Sequence, residues 1–528
     1  MSQSKSLGPE GLIKLVSRVG AVLLLMFLAF LWSSTTTIIS GDIVHLCVSS
    51  RKLNNPTCLS VGAPQFQTPN FEIPIIPLLI QTSISDHDHP YLDSKQVVDD
   101  PLIGHVGEVK DGDEENAVRV VKEQIQLHRS WASNAHQANC SGGGVYVYDL
   151  PPKFNKDLMS QCGDMVPWLD LCKHLINEAL GEPIPELGQG WYKTHQYSLE
   201  PIFHARVLKH PCRVYNENEA TLFYVPYYGG LDVLRWHFKN VSDEVKDHLA
   251  LDLVKWLEHQ KSWARTSGKD HVFVLGKISW DFRRDPNSSW GTKFLELDQL
   301  QNPIKLLIER HPWHVNDISI PHPTHFHPHS DHDIASWQLK IFRSERKTLV
   351  GFAGAARPGA PENIRSQLIQ QCNSVDTPQE CRFLDCSLGG CHQPKTVISL
   401  FMESEFCLQP PGDSPTRKSV IDSIVSGCIP VLFDPFTAYY QYPWHLPEDY
   451  RKYSVFVDQQ EVREMKVNVI ERLMKVTPRE RDNMRRYIVY QLLPGVVYGH
   501  PNSELEEFQD AFSITVSNLL ERVRKLKY

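Results

Sequence analysis

The sequence predicts an α/β protein built from two halves, each with a mostly parallel sheet. Three observations lead there. Short apolar runs alternate with stretches of helical period through most of the chain after residue 140. These runs have the length of buried strands and end at Gly, Pro or Asp. One stretch in the second half, Glu403–Phe436, sets out strand, loop, helix and strand in order.

That stretch organises the rest. Phe406–Gln409 is uncharged and apolar enough for a buried strand. Pro410–Pro415 is a loop carrying Gly412, Asp413 and Ser414. Arg417–Cys428 places Val420, Ile421, Ile424 and Val425 at helical spacing, with Thr416 as the expected N-cap and Gly427 as the stop. Ile429–Phe433 is the second strand. A helix start offers unpaired N–H groups and the positive end of a dipole. Arg417 and Lys418 in the first turn oppose that dipole, which points to a bound anion; a diphosphate fits. Asp422, further along the helix, is placed to hold ribose hydroxyls. The alternative is a plain βαβ unit with a solvated basic turn.

Composition narrows the class. The chain has 528 residues, enough for two or three domains, with 41% hydrophobic and 22% charged residues, as in globular proteins with sizeable cores. Its net charge of −8, with basic residues in short pairs only, argues against nucleic acid as a partner.

Residues 1–18 are polar and carry Lys5, Lys14 and Arg18. Val19–Ile39 is uncharged and long enough to span a bilayer as a helix. Cations before it and none close behind place the N-terminus in the cytosol, as a single-pass anchor; a cleaved signal peptide is the competing reading. Residues 40–140, rich in Pro, Thr and Ser at Pro56–Pro90 and acidic at Asp111–Glu115, read as a stem ending in an amphipathic helix, Val118–Trp131. A lumenal body would hold the twelve cysteines in an oxidising compartment. Cys372, Cys381, Cys386 and Cys391 lack a tight CxxC knuckle, so disulfides are favoured over zinc. Asn139, Asn240 and Asn287 are glycosylation sequons.

Two halves follow, 141–335 and 336–528. In the first, Val145–Tyr148, Leu222–Tyr228, His271–Leu275 and Asp317–Ile320 read as strands and Asp243–Arg265 as a long amphipathic helix. Asp149 follows a strand end, where α/β folds place ligand groups. In the second, Lys347–Gly354 and Tyr453–Val457 are strands, Glu362–Cys372 is a helix, and Val467–Val476, Thr477–Leu492 and Glu504–Lys525 are terminal helices. Arg357, just past a strand, is a second cation for a diphosphate.

Six motifs then stand in a recognisable order: Val145–Phe154 (VYVYDLPPKF), Phe223–Asp232 (FYVPYYGGLD), Ser279–Arg284 (SWDFRR), Gly351–Pro358 (GFAGAARP), Phe406–Pro415 (FCLQPPGDSP) and Gly427–Phe433 (GCIPVLF). Together they resemble the plant exostosin-like glycosyltransferases of family 47, nearest to the xyloglucan galactosyltransferases, from about Gly144 to Lys525. The resemblance implies a Golgi type II membrane enzyme of the GT-B fold, two Rossmann-like domains facing a cleft. It implies inverting transfer of galactose from UDP-galactose to xylosyl side chains of xyloglucan, in company with other Golgi glycosyltransferases. The chain departs from the pattern where Lys418 replaces Arg and where His322 and His325 replace mostly Tyr.

Such a reaction needs an acceptor base, a stabilised diphosphate and an aligned sugar. Arg357, Ser414, Thr416, Arg417 and Lys418 are assigned to the diphosphate and Asp422 to the ribose. For the base, His195, Asp149 and Glu200 come first, with His204 and Asp281 behind. Trp191, Tyr192, Tyr227, Tyr228, Trp236 and Trp280 are available for the acceptor. No metal cofactor is expected, because Arg, Lys and a helix dipole suffice for the diphosphate. Three DxD tripeptides (Asp86–Asp88, Asp111–Asp113, Asp331–Asp333) and the histidine-rich loop His322–His329 are the places a metal would bind, and the plainer reading of that loop is a wet Pro/His segment between the halves. Another UDP-sugar, arabinose or galacturonic acid, is the alternative donor. A non-catalytic polysaccharide-binding subunit is the alternative class.

Overall fold

The computed structural model describes residues 35–40, 43–48, 57–61, 111–133, 140, 143–285, 288–356, 363–387 and 389–526. They belong to two compact units, 1–67 and 68–528. The first unit contains an antiparallel sheet of β1 (Thr35–Ser40), β2 (Ile43–Val48) and β3 (Thr57–Val61), in that order. Thr35–Ile39, expected to complete a membrane helix, is thus a strand. Its five residues are all β-branched, which costs rotamer freedom in a helix and suits a pleat. Residues 1–34 lie outside the described residues, as does the rest of that expected span. Among the described residues no helix is long and apolar enough to cross a membrane.

The second unit holds two all-parallel sheets. The first comprises β4 (Gly144–Val147), β5 (Arg213–Val214), β6 (Ala220–Val225), β7 (His271–Ile278), β8 (Ile304–Glu309) and β9 (Asp317–Ser319), in spatial order β5-β4-β6-β7-β8-β9. The second comprises β10 (Thr348–Gly354), β11 (Cys381–Asp385), β12 (Ser404–Gln409), β13 (Ile429–Leu432) and β14 (Val455–Phe456), in order β11-β10-β12-β13-β14. In each sheet the second strand lies outside the first and the third returns to its other side. The order therefore reverses between β4 and β6, and between β10 and β12. Ligands of open α/β sheets bind beyond the strand C-termini at such a switch point, and the loop after β12 leaves from one.

Each sheet has its own core. The first packs Leu222, Phe223, Val272, Phe273, Leu306 and Leu307 with the helices around them; the second packs Val350, Phe406, Leu408, Ile421, Ile424 and Val431. The chain crosses between them more than once. Leu187, Trp191 and Phe326 belong to the second core although they precede the expected boundary at 335. The last helix, Ala511–Leu526, returns to the first core through Phe512, Val516, Leu519 and Val523.

The expected stem also needs correction. Its terminal helix starts earlier, at Asp111, and runs to Ser130. It is part of the body. Ala117, Val121, Ile125 and His128 form a buried stripe at helical spacing. The His128 ring donates to Val315 O at 2.9 Å, and Arg129 donates to Leu446 O at 3.0 Å. The helix is therefore tied to residues of both halves.

Ten cysteines pair as Cys140–Cys212, Cys162–Cys172, Cys372–Cys381, Cys386–Cys391 and Cys407–Cys428. The last closes the βαβ unit on itself, joining β12 to the turn before β13.

Candidate functional site

The loop between β12 and the next helix is built from both halves. The helix spans Lys418–Val425, and Arg417, in extended conformation, is its N-cap. Thr416 was expected in that position. It is instead buried and turned toward the first sheet: its N–H and its hydroxyl donate to Glu309 Oε2 at 2.9 and 2.5 Å. Glu309 is the last residue of β8. Burial pushes its carboxyl above the usual range, against the pull of hydrogen bonds from Thr416 and Ser414.

Gly412 marks where two arginines close on the loop. A Cβ there would run into the guanidinium groups of Arg417 and Arg365. Arg365 comes from the first turn of the helix Ile364–Asn373, and its Nε donates to Pro411 O at 3.3 Å. Two guanidinium groups thus converge on one glycine, at a helix start and a sheet switch point, and guanidinium donors match phosphate oxygens. Sequence reading missed Arg365, because nothing local links it to a loop so far along the chain. Arg357 lies outside the described residues.

Lys418 and Asp422 are paired with each other and with residues of the first half. Lys418 Nζ donates to Asp422 Oδ1 and Oδ2 at 2.9 and 2.8 Å, and to His325 Nε2 at 2.9 Å. Thr324 Oγ1 donates to Asp422 Oδ1 at 2.7 Å. Asp422, only 6% exposed, thus accepts from Lys418 on both oxygens and from Thr324 on Oδ1. His325 lies with Nδ1 3.2 Å from Tyr192 O; burial and the neighbouring ammonium hold it neutral. Two of the three departures noted in the sequence, Lys418 and His325, therefore touch each other.

The three expected bases do not meet. His195 lies within the electrostatic reach of Lys418 and His325; burial, His174 and Lys418 push it down to about 3. Its Nδ1 accepts from Tyr197 N at 3.3 Å, so a neutral ring carries its proton on Nε2. Glu200 is fully buried. Gly230 N and Gly276 N donate to its Oε1 at 2.5 and 2.9 Å, and Leu231 N to its Oε2 at 3.4 Å. It is a tie between β7 and the start of the helix Gly229–His237, and burial raises it to about 8. Asp149 is exposed and lines a separate cavity of about 760 Å³ beside Tyr146, His204, Arg213 and Trp256. Asp281 is held by Lys277 at 3.0 Å and Trp290 Nε1 at 2.8 Å.

The histidine-rich segment is not the wet loop foreseen. His322 and His327 are buried. His322 Nδ1 meets Tyr442 OH at 3.3 Å, and His327 sits between Tyr498 O at 2.7 Å and Thr194 Oγ1 at 2.8 Å. Asp331 and Asp333 serve the backbone: Asp331 accepts from the N–H groups of Glu506, Glu507 and Phe508, and Asp333 from that of His329. Among the described residues no three His, Cys, Asp or Glu side chains converge as a metal site. The side chains of Asp111 and Asp113, and all of Asp86–Asp88, lie outside the description. Of the acceptor aromatics, Trp191, Tyr227 and Tyr228 are core residues. Asn240 is exposed, while Asn139 and Asn287 lie outside the described residues.

Two all-parallel sheets, one with a pair of arginines in a loop at its switch point, are the arrangement in which open α/β folds bind ligands. Residues 139–473 match the exostosin GT47 domain. The chain is 49% identical over 594 residues to xyloglucan-specific galacturonosyltransferase 1 of Arabidopsis thaliana, covering 96% of this chain and 89% of the relative. It is 52% identical over 529 residues, 96% and 94% of the two chains, to probable xyloglucan galactosyltransferase GT20 of the same plant. Identity to the Arabidopsis xyloglucan galactosyltransferase MUR3 is 39% over 399 residues, 74% and 63% of the two chains. The chain belongs to the exostosin GT47 family and is a glycosyltransferase.

Proposed function

We propose that this enzyme moves galactose from UDP-galactose to xylosyl side chains of xyloglucan, with inversion, in a GT-B arrangement of its two sheets. The observation that carries the reading is the convergence of Arg365 and Arg417 on Gly412 at the helix start. As the bond from the anomeric carbon to UDP breaks, negative charge grows on the diphosphate. Fixed guanidinium groups meet that charge without reorganising, so the reading requires no divalent cation. His195, its proton on Nε2, contributes a donor to a sugar oxygen. The charge of Lys418 is matched by Asp422 at 2.8 Å, so this pair reserves no spare cation for a uronate carboxylate, which favours a neutral hexose. UDP-galacturonic acid is the second reading, favoured by 49% identity to a galacturonosyltransferase across 96% of the chain. Five disulfides support a body in an oxidising lumen, and we assign it to the Golgi, behind a single membrane anchor.

The test offers the full chain UDP-galactose or UDP-galacturonic acid with xyloglucan oligosaccharides, with and without EDTA. A neutral hexose added to the oligosaccharide with EDTA present is the expected product. Transfer of galacturonic acid alone would replace the donor. UDP binding with no transfer from either would leave a binding subunit.

A further inference from the structure

Glu309 has no part in the chemistry so far, yet its surroundings are unusual. It is 1% exposed. Its Oε2 accepts the Thr416 N–H and the Thr416 hydroxyl at 2.9 and 2.5 Å. Its Oε1 is buried with no hydrogen-bond partner. Other acids near the seam each meet a cation: Asp422 meets Lys418 at 2.8 Å, Asp281 meets Lys277 at 3.0 Å, and Asp317 meets Arg283 at 3.0 Å. The groups that hold Glu309 are a backbone N–H beside a helix start and the hydroxyl of the same threonine.

Those are the donors a diphosphate takes at such a loop. A carboxylate that satisfies one oxygen and leaves the other bare is an imperfect occupant of the place. We propose that Glu309 is a positioning residue that stands in for the donor's anion: it holds the Thr416 N–H and the Thr416 hydroxyl in the empty enzyme and yields them to the diphosphate of UDP. The inference rests on the reading of this loop as the diphosphate site. Glu309 belongs to β8 and the loop to the second sheet, so donor entry breaks a tie across the seam. The carboxylate keeps the loop shaped while empty and opposes donor binding by the strength of its own contacts.

The sign of one measurement decides. UDP and uridine are titrated calorimetrically into the full chain and into its Glu309→Gln variant, whose neutral carbonyl is a weaker acceptor than a carboxylate. The expected result is UDP binding about tenfold tighter in the variant, with uridine unchanged. Glu309→Asp, which keeps the charge but draws it back from Thr416, shifts UDP the same way and covers the case in which the glutamine variant fails to fold. UDP affinity that stays the same or falls in both variants overturns the proposal and leaves Glu309 a structural tie. A wild type that binds UDP no better than uridine defeats the diphosphate reading itself, and this inference with it.

Discussion

Replacing Arg365 or Arg417 by Ala isolates the feature on which the functional reading stands. Both guanidinium groups adjoin Gly412, Arg365 being 8% exposed and Arg417 half-buried. A unit charge about 4 Å from a phosphate oxygen, at an effective dielectric near 20, interacts with it by about 4 kcal/mol. Partial exposure and the existing contacts of each arginine reduce this to about 2 kcal/mol, or about 30-fold in the Kd for UDP. The double variant should lose about the product of the two losses, because the repulsion between the guanidinium groups is present with and without UDP and cancels from binding. Calorimetric titration with UDP, UMP and uridine provides the control. The loss should be greatest for UDP, smaller for UMP and absent for uridine. Equal losses for UDP and uridine would mean that the arginines only support the fold. Unchanged UDP affinity would place the diphosphate elsewhere.

Further outcomes follow from the same geometry. Cys407→Ala with Cys428→Ala opens a loop of sequence separation 21, worth about 3 kcal/mol by chain entropy, and should lower Tm and weaken UDP binding together; unchanged Tm would refute the stapling role. Glu200→Ala leaves the buried N–H groups of Gly230 and Gly276 without an acceptor at about 1–3 kcal/mol each, so it should depress Tm sharply, whereas Asp149→Asn should leave both Tm and kcat close to wild type. Lys418→Arg and His325→Tyr should each lower kcat/KM, and combining them should recover about 1–2 kcal/mol of the summed loss, measured as a double-mutant cycle. The buried histidines make the fold acid-labile. His195, His322 and His327 are held at about 3, and His314 and His445 at about 4, mainly by burial. The unfolded chain takes up these protons near pH 6.5 and the folded chain does not, so the stability is present above pH 6.5 and is lost as pH falls through 6.5 toward 4. A Tm that rises between pH 7 and 5 would contradict this.

The βαβ unit was legible because its strands are uninterrupted apolar runs and its helix has a clean period; Ser404–Gln409, Lys418–Val425 and Ile429–Leu432 lie within two residues of their expected bounds, except where the helix ends earlier. β8 was not foreseen. Lys305 and Glu309 break its apolar run, and only the fold shows that Lys305 is neutralised internally, 3.6 Å from Asp317 and donating to Leu300 O at 3.0 Å. The omission hid Glu309, and with it the carboxylate that turns Thr416 away from the helix cap. β5 and most of β11 are partly exposed edge strands with charged residues, and such edges carry little periodic signal. Lys418 and Asp422 were placed on one helix as separate ligand groups, and the i, i+4 ion pair between them was not drawn from their spacing. Helical period also does not tell which core a helix joins. The segment Ala511–Leu526 reads equally well for either, and only packing places it on the first. The histidine loop read as solvent-exposed because histidine is usually half-polar surface. Here backbone carbonyls and hydroxyls satisfy it inside the seam.

A crystal structure of the full chain with UDP bound tests the central claim most directly. The account requires the diphosphate to lie at Gly412 between the guanidinium groups of Arg365 and Arg417, with the Thr416 N–H turned to a phosphate oxygen and Glu309 withdrawn. A diphosphate bound instead in the cavity beside Asp149 and Arg213, with the Glu309–Thr416 contact intact, would contradict it.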